Sequence, residues 1–126
     1  MKKVKKNFLL EAVVDLFTTL PKGKVLDLGC GDGDYAKRLK DLGFDVIAGD
    51  IDLARFRYKN EIEFKHCDIT KEIPFPANHF DYVLFLEVIE HLRNPYQVMP
   101  EINRIIKNNG SLIISTPNIV DRKSVV

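Results

Sequence analysis

Residues 25–34 read VLDLGCGDGD, in which a short apolar segment runs directly into a loop with a glycine at every second position. Glycines allow a backbone to turn tightly and to approach a ligand closely. A dinucleotide-binding fingerprint places its third glycine three positions after the second. Gly33 follows Gly31 by only two positions, so the spacing argues against a nicotinamide-dependent oxidoreductase.

The charge of this loop argues in the same direction. Asp27, Asp32 and Asp34 surround the glycines, and a pyrophosphate would meet like charge there. Two unit charges about 4 Å apart interact by about 4 kcal/mol at an effective dielectric constant of about 20. A cofactor that presents cations instead of phosphates is therefore favoured. S-adenosylmethionine is such a cofactor, because it carries an ammonium and a sulfonium group and no phosphate.

Apolar residues at helical spacing predict three helices around this loop. Pro21 and Gly23 end the first helix, Gly43 suits the C-terminal cap of the second, and Pro100 lies in the first turn of the third or kinks it. The apolar positions are Phe8, Leu9, Ala12, Val13, Leu16, Phe17 and Leu20; then Tyr35, Ala36, Leu39 and Leu42; then Val98, Ile102, Ile105 and Ile106. One or two further helical turns are expected after Asp50.

Four short apolar runs and one segment of alternating apolar and polar residues, residues 62–66, predict five strands. They are residues 25–28, 46–49, 62–66, 82–86 and 112–115, with a turn at Asn108-Asn109-Gly110 before the last of them. Strands that alternate with helices imply a mainly parallel sheet with helices on both faces. We therefore expect an α/β fold, a Rossmann-like sandwich with strand order 3-2-1-4-5, formed by a single domain over residues 1–126.

Acidic residues and a glycine follow the predicted strands. Asp27, Gly29, Asp50, Asp68 and Glu87 lie at or just after strand ends. In parallel sheets of this kind, ligands bind beyond the carboxyl ends of the strands. The sequence therefore predicts an acidic ligand site at this edge.

A second explanation applies to some of the acids near this edge. Asp32, Asp34 and Asp52 are also suited to helix starts, where a carboxylate interacts with the positive end of the helix dipole. The sequence leaves both roles open for these three residues.

Residues 25–33, together with Asp50, Asp68 and residues 80–92, resemble the class I S-adenosylmethionine-dependent methyltransferases. The resemblance extends over about residues 21–118. It implies a methyltransferase that uses S-adenosyl-L-methionine and releases S-adenosyl-L-homocysteine.

The resemblance also implies roles for the matching positions. Asp27 would hold the ammonium group of the cofactor, and Asp50 would accept hydrogen bonds from both ribose hydroxyls, since a carboxylate offers two oxygens. Asp68, or Ile69 through its backbone, would read the adenine edge, and Ile51 would pack on the adenine ring. The remaining expected cofactor contacts are Gly29, Cys30, Gly31, Gly33 and Leu86.

Glu87, Glu90 and His91 would share one face of a helix. Their pattern resembles the metal-binding segment of ubiquinone-pathway O-methyltransferases and small-RNA 2′-O-methyltransferases, which use further ligands downstream. No histidine follows His91, and the three residues are equally suited to capping and packing the helix. We expect no bound metal. Glu87 and His91 are the candidate catalytic residues, with His91 as a general base if the acceptor is a hydroxyl.

The composition indicates which partners and which cellular compartment to expect. The 126 residues include 19 basic and 18 acidic side chains, which gives a net charge of +1 and no electrostatic reason to expect a DNA or membrane partner. Cys30 and Cys67 are too few for a disulfide framework, so we expect reduced thiols and a cytoplasmic protein. Glu11 and Asp15 interrupt the apolar stretch that follows the basic N-terminus, which excludes a signal-peptide core.

The sequence lacks the Asn-Pro-Pro-aromatic motif of enzymes that methylate amino groups of nucleic acids. We therefore expect a small-molecule acceptor that is methylated on oxygen or carbon. The alternative is a non-catalytic module that binds S-adenosylmethionine or S-adenosylhomocysteine.

The chain ends about ten residues after the fifth predicted strand, whereas the resemblance implies two further strands. Residues 112–115 would then form an exposed apolar edge, and such edges pair with other chains. We expect one of three arrangements: a fragment of a longer methyltransferase, a homodimer through this edge, or an edge covered by residues 119–126.

Overall fold

Among the described residues, a helix or a single 3-10 turn precedes four of the five strands. The structure is a computed structural model that describes residues 2–86, 88 and 92–115. In chain order the elements are α1 (Lys2–Thr18), β1 (Lys24–Leu28), α2 (Asp34–Asp41), β2 (Asp45–Asp50), β3 (Glu63–His66), β4 (Phe80–Phe85), α3 (Met99–Ile105) and β5 (Ile106–Ile114). One-turn 3-10 helices at Leu53–Arg55 and Pro95–Gln97 complete the described elements.

The five strands form one sheet in the order β3-β2-β1-β4-β5, and every neighbouring pair is parallel. The predicted strand order and fold class are therefore confirmed. The central strands β1 and β4 are buried along most of their length. Strands covered on both faces consist of nearly continuous apolar residues, which explains why both were visible in the sequence.

Helices α1 and α2 cover one face of the sheet. Phe17 of α1 packs edge-on against Phe44 and Tyr82, with ring centroids 5.2 and 5.3 Å apart. The Tyr82 hydroxyl donates a hydrogen bond to the Pro21 carbonyl at 2.8 Å. This contact holds the chain between α1 and β1 against the sheet.

Helix α3 covers the opposite face. Its buried Ile102 and Ile105 belong to a core cluster with Val83 and Phe85 of β4. Side chains alternate between the two faces of a strand, so Tyr82 and Leu84 lie instead in the cluster under α1 and α2. Pro100 lies in the first turn of α3, as predicted.

The apolar face predicted for α1 is only partly buried. Val13, Val14 and Phe17 are buried, whereas Phe8 is 75% exposed and Leu16 is 43% exposed. Helical periodicity identifies the apolar residues that share one face of a helix. How much of that face is buried depends on which elements pack against it. The prediction that Phe8 and Leu16 belong to the packed face is wrong for this reason.

The fifth strand begins earlier than predicted. Ile106 follows α3 directly and pairs with Phe80, and Ser111 pairs with Tyr82. Between these two pairs β5 advances five positions while β4 advances two, so the chain bulges out at Asn108 and Asn109. The predicted turn before the strand is therefore wrong, because its turn-forming residues lie in an irregularity inside β5.

β5 forms one edge of the described sheet. Residues 119–126, which were expected as one possible cover for this edge, lie outside the described residues. Across the part of the chain that the structure describes, no helix is long and apolar enough to cross a membrane.

Candidate functional site

The glycine loop lies at the carboxyl end of β1 and is fixed to the end of β2. The backbone N–H groups of Gly29 and Cys30 both donate to the Gly49 carbonyl, at 2.8 and 3.0 Å. Gly29 has a φ of +80°, and a Cβ there would lie 2.5 Å from Cγ2 of Val88. The loop therefore requires glycine at this position for both its conformation and its space.

Gly33 is also a predicted cofactor contact. It precedes α2 with a φ of +96°, and a Cβ there would lie 2.5 Å from the ring of Phe56. Gly33 does not line the cleft described below. Its small size allows the segment after β2 to pack closely against the start of α2.

Asp27 is a buried carboxyl group that lacks a full set of partners. Only 2% of the residue is exposed, and its Oδ2 atom has no hydrogen-bond partner among the described residues. Burial, together with the negative charges of Asp50 and Asp32, raises its pKa to about 7, although a hydrogen bond from the Ala36 backbone lowers it. A buried polar atom without a partner is costly, so this oxygen is a candidate ligand-binding group.

Asp50 ends β2 and is held in place on both sides. Its Oδ2 accepts a hydrogen bond from the Gly31 N–H at 2.8 Å, and its Oδ1 accepts one from the Asp52 N–H at 3.0 Å. Each carboxylate oxygen has a second lone pair. The group is thus oriented by the backbone and retains the capacity to accept further hydrogen bonds.

Asp68 follows β3 and is fixed by Thr70. Its Oδ1 accepts hydrogen bonds from the Thr70 hydroxyl at 2.6 Å and from the Thr70 N–H at 3.0 Å. These bonds lower the pKa of Asp68, so the side chain is ionised at neutral pH. Asp68 and Asp50 thus give this edge of the sheet two oriented acceptors.

Asp32, Asp34 and Asp52, which are also suited to helix starts, form hydrogen bonds near the starts of two helices. Asp52 caps the Leu53–Arg55 turn by accepting a hydrogen bond from the Ala54 N–H at 3.0 Å. Asp34 is the first residue of α2, and its carboxylate accepts hydrogen bonds from Arg57 and Tyr58. Asp32 accepts a hydrogen bond from the Asp34 N–H at 3.1 Å and also lines the cleft.

The glycine loop, Asp27, Asp50 and Asp68 surround one cleft of about 510 Å³ at the carboxyl ends of β1, β2, β3 and β4. All the predicted cofactor-binding residues except Gly33 line it: Asp27, Gly29, Cys30, Gly31, Asp50, Ile51, Asp68, Ile69 and Leu86. A volume of this size is typical of a small-molecule site. The strand order thus brings residues from four separate loops to one place.

Sequence reasoning did not assign cleft positions to six further residues. They are Asp32, Tyr35, Arg55, Cys67, Thr70 and Val88. Cys67 follows β3 directly, and Thr70 lies two residues after Asp68. Because both lie close to the end of a strand, their place in the cleft could have been predicted from the sequence. Arg55 gave no such signal, because its contact with the glycine loop joins residues far apart in sequence.

Both cysteines line the cleft as protonated thiols. Burial raises the pKa of Cys30 well above its ordinary range, and it raises the pKa of Cys67 to about 11. A thiol is a nucleophile only as the thiolate. Both side chains therefore act as small, weakly polar wall groups at neutral pH.

Glu87, Glu90 and His91, the candidate catalytic and metal-binding residues, lie outside the described residues. Their neighbour Val88 lines the cleft. Within residues 2–86, 88 and 92–115, no cluster of three or more His, Cys, Asp or Glu side chains is arranged to hold a metal ion.

Comparisons with known proteins identify the class to which this fold and cleft belong. The family described as "Methyltransferase domain" matches residues 26–114. A ubiquinone biosynthesis O-methyltransferase of Rickettsia typhi is 34% identical over 118 residues, which cover 89% of this chain and 48% of that protein. The uncharacterized protein MJ0638 of Methanocaldococcus jannaschii is 42% identical over 97 residues, 75% of this chain and 40% of that one.

Solved structures of other proteins share this fold. The PH0226 protein from Pyrococcus horikoshii is 30% identical, with a TM-score of 0.75 over 90% of this chain and 58% of that chain. The cyclase SpnF shares the fold at 21% identity and a TM-score of 0.73, over 84% of this chain and 43% of that chain. The chain belongs to the class I, S-adenosylmethionine-dependent methyltransferase family. It spans about half the length of the curated relatives it matches.

Proposed function

We propose that this chain binds S-adenosylmethionine in the cleft and that the protein transfers the methyl group to an oxygen of a small-molecule acceptor. The observation that carries the proposal is the buried, unpartnered Oδ2 of Asp27 in the wall of the cleft. A cationic ligand with N–H donors would satisfy that atom, and hydrogen bonds between charged groups are stronger than those between neutral ones.

Asp50 fits the ribose part of the cofactor. Its two oxygens are oriented by the N–H groups of Gly31 and Asp52 and can still accept hydrogen bonds. A vicinal diol presents two donors at a matching spacing. Because the carboxylate is already fixed, little side-chain ordering is required on binding.

The adenine part fits the side of the cleft near β3. Ile51 is 60% exposed, and an aromatic ring that packs on it would remove this apolar surface from water. Ile69 lines the same cleft, and Asp68 is held by Thr70 in a fixed orientation. We therefore assign the adenine edge to Asp68 or to the backbone of Ile69.

The bound cofactor supplies an activated methyl group on a positively charged sulfur. The protein's task is to position the acceptor and to exclude water. Leu86 and Val88 line the cleft after β4 and flank the candidate catalytic residue Glu87 in the sequence. We propose His91 as general base and Glu87 as its partner for a hydroxyl acceptor, with no metal ion required.

Two features support a small-molecule oxygen acceptor. Relatives at 34% and 33% identity are named ubiquinone biosynthesis O-methyltransferases, and the near-neutral charge gives no electrostatic support for a DNA partner. We also propose a cytoplasmic location, because the chain has only two cysteines and both are free. Pairing of β5 edges in a homodimer remains a prediction.

Titration calorimetry with S-adenosylmethionine, and with NAD in parallel, tests the proposal. We expect binding of S-adenosylmethionine alone. The Asp50→Ala variant should weaken this binding by about 1–3 kcal/mol, because the ribose loses its acceptors. Asp45→Ala is the matched control, since Asp45 is an exposed residue at the opposite end of β2 and should leave the affinity unchanged.

Three other results would change the proposal. Binding of NAD instead of S-adenosylmethionine would refute the cofactor assignment. An unaltered affinity in Asp50→Ala would remove the ribose role of that residue. Cofactor binding without methyl transfer to phenolic acceptors would favour the non-catalytic binding module.

A further inference from the structure

Arg55 lies beside the glycine loop although it follows a different strand. It ends the Leu53–Arg55 turn after β2 and lines the cleft. Its Nη2 atom lies 3.3 Å from the position that a Cβ of Gly31 would occupy. The guanidinium group therefore rests directly against the loop.

Arg55 is also the only cation among the described residues that line the cleft. The other side chains there that carry a formal charge are carboxylates, namely those of Asp27, Asp32, Asp50 and Asp68. Arg55 forms no ion pair and no side-chain hydrogen bond with the described part of the chain, whereas Arg57, two residues later, pairs with Asp34. The five N–H donors of Arg55 remain available for a ligand.

The backbone that carries Arg55 is fixed on both sides. The N–H of Ala54 donates to Asp52 at 3.0 Å, and the N–H of Asp52 donates to Asp50. On the other side, the N–H of Arg57 donates to the Asp32 carbonyl at 3.0 Å. These bonds fix the Arg55 backbone relative to both β2 and the glycine loop, so only its side chain has to be ordered by a ligand.

We propose that Arg55 binds the α-carboxylate at the amino-acid end of the cofactor, an inference that rests on the proposed function. An amino acid presents an ammonium and a carboxylate on one carbon. Asp27 offers a partner to the ammonium, and Arg55 is the cleft cation that matches the carboxylate. A planar guanidinium suits this task, because its fork of donors matches the two carboxylate oxygens.

The test compares two ligands that differ only in the carboxylate, S-adenosylmethionine and decarboxylated S-adenosylmethionine, on the wild-type chain and on Arg55→Ala. The wild type should prefer S-adenosylmethionine by about 10- to 100-fold. The Arg55→Ala variant should lose this preference. It should bind the decarboxylated ligand at least as well as the wild type does, because a cation has been removed from beside a cationic ligand.

Arg57→Ala is the matched control. It removes the same charge two residues away, from a side chain that does not line the cleft, and it should keep the wild-type preference. The inference is overturned if Arg55→Ala retains the preference, or if it weakens both ligands equally, which would mean a structural role for Arg55. A wild-type chain that binds both ligands equally also overturns it. A wild-type chain that binds neither ligand overturns the proposed function as well.

Discussion

Two carboxyl groups at opposite ends of the sheet, those of Glu101 and Asp27, differ in their hydrogen bonding. Near the amino ends of β4 and β5, Glu101 accepts hydrogen bonds from two Arg104 nitrogens and from the Ile73 N–H, at 2.7 to 3.0 Å. These partners lower its pKa. At the carboxyl end of β1, Asp27 is more deeply buried, yet one oxygen lacks a partner and its pKa is raised to about 7.

This difference separates a structural carboxylate from one that is available to a ligand. Glu101 and Arg104 fix the loop before β4, since Arg104 also donates to the carbonyls of Ile73 and Phe75 at 2.7 Å. The negative charge of Glu101 is therefore balanced by Arg104 and needs no ligand. Asp27 instead has a buried oxygen without a partner among the described residues, which is expected where a site is organised for binding and not for stability.

The largest effect is expected from Asp27→Asn. The pKa of Asp27 is 3.8 in its ordinary state and about 7 in the fold. The folded state therefore holds an extra proton between these values, and stability falls as the pH rises from about 4 to 7. The variant removes this penalty. Its free energy of unfolding without ligand should exceed that of the wild type by up to about 4 kcal/mol at pH 8.

Urea unfolding at pH 4 and pH 8 measures this change. The gain should be largest at pH 8 and should shrink toward pH 4, where Asp27 is protonated in the folded state and is close to its ordinary pKa of 3.8 in the unfolded state. A variant that is less stable than the wild type at pH 8 would mean that the ionised carboxyl is satisfied in the ligand-free chain.

The same chemical change at the other end of the sheet should have a smaller effect of opposite sign. Glu101→Gln removes the charge from the hydrogen bonds with Arg104 and should lower the free energy of unfolding by about 1 kcal/mol at pH 8. Because the folded pKa of Glu101 is lowered, this stabilisation is lost as the pH falls below its ordinary value of 4.5. Denaturant curves on both amide variants provide the comparison, and a stabilised Glu101→Gln would contradict it.

The sequence predicted where the strands lie because the relevant signals are local, and their order followed from the Rossmann-like fold that the pattern implies. Buried parallel strands such as residues 82–86 are continuous apolar runs, and acids after β1, β2 and β3 indicate the ligand edge. The start of β5 was mispredicted because turn-forming residues also suit a bulge. Phe8 and Leu16 were mispredicted because periodicity does not show which neighbours cover a helix.

Within the candidate site, the residues that follow strand ends were predictable and those that reach across loops were not. Asp50 is the last residue of β2, and Asp68 lies two residues after β3. The contact of Arg55 with Gly31 joins residues 24 positions apart and depends on how the segment after β2 folds back. The lack of a partner for Asp27 was also invisible in the sequence, because it is a property of the packed structure.

The most direct test of the role of Asp27 is the pH dependence of cofactor binding. S-adenosylhomocysteine carries the same ammonium group as the cofactor and is titrated into the chain at pH 5.5 and at pH 7.5. At the lower pH the protonated Asp27 must release its proton before it can hold the cation, so affinity should be at least about tenfold weaker than at pH 7.5. The Asp27→Asn variant should bind weakly at both values. Equal wild-type affinities at the two pH values, or an unweakened Asp27→Asn variant, would contradict this role for Asp27.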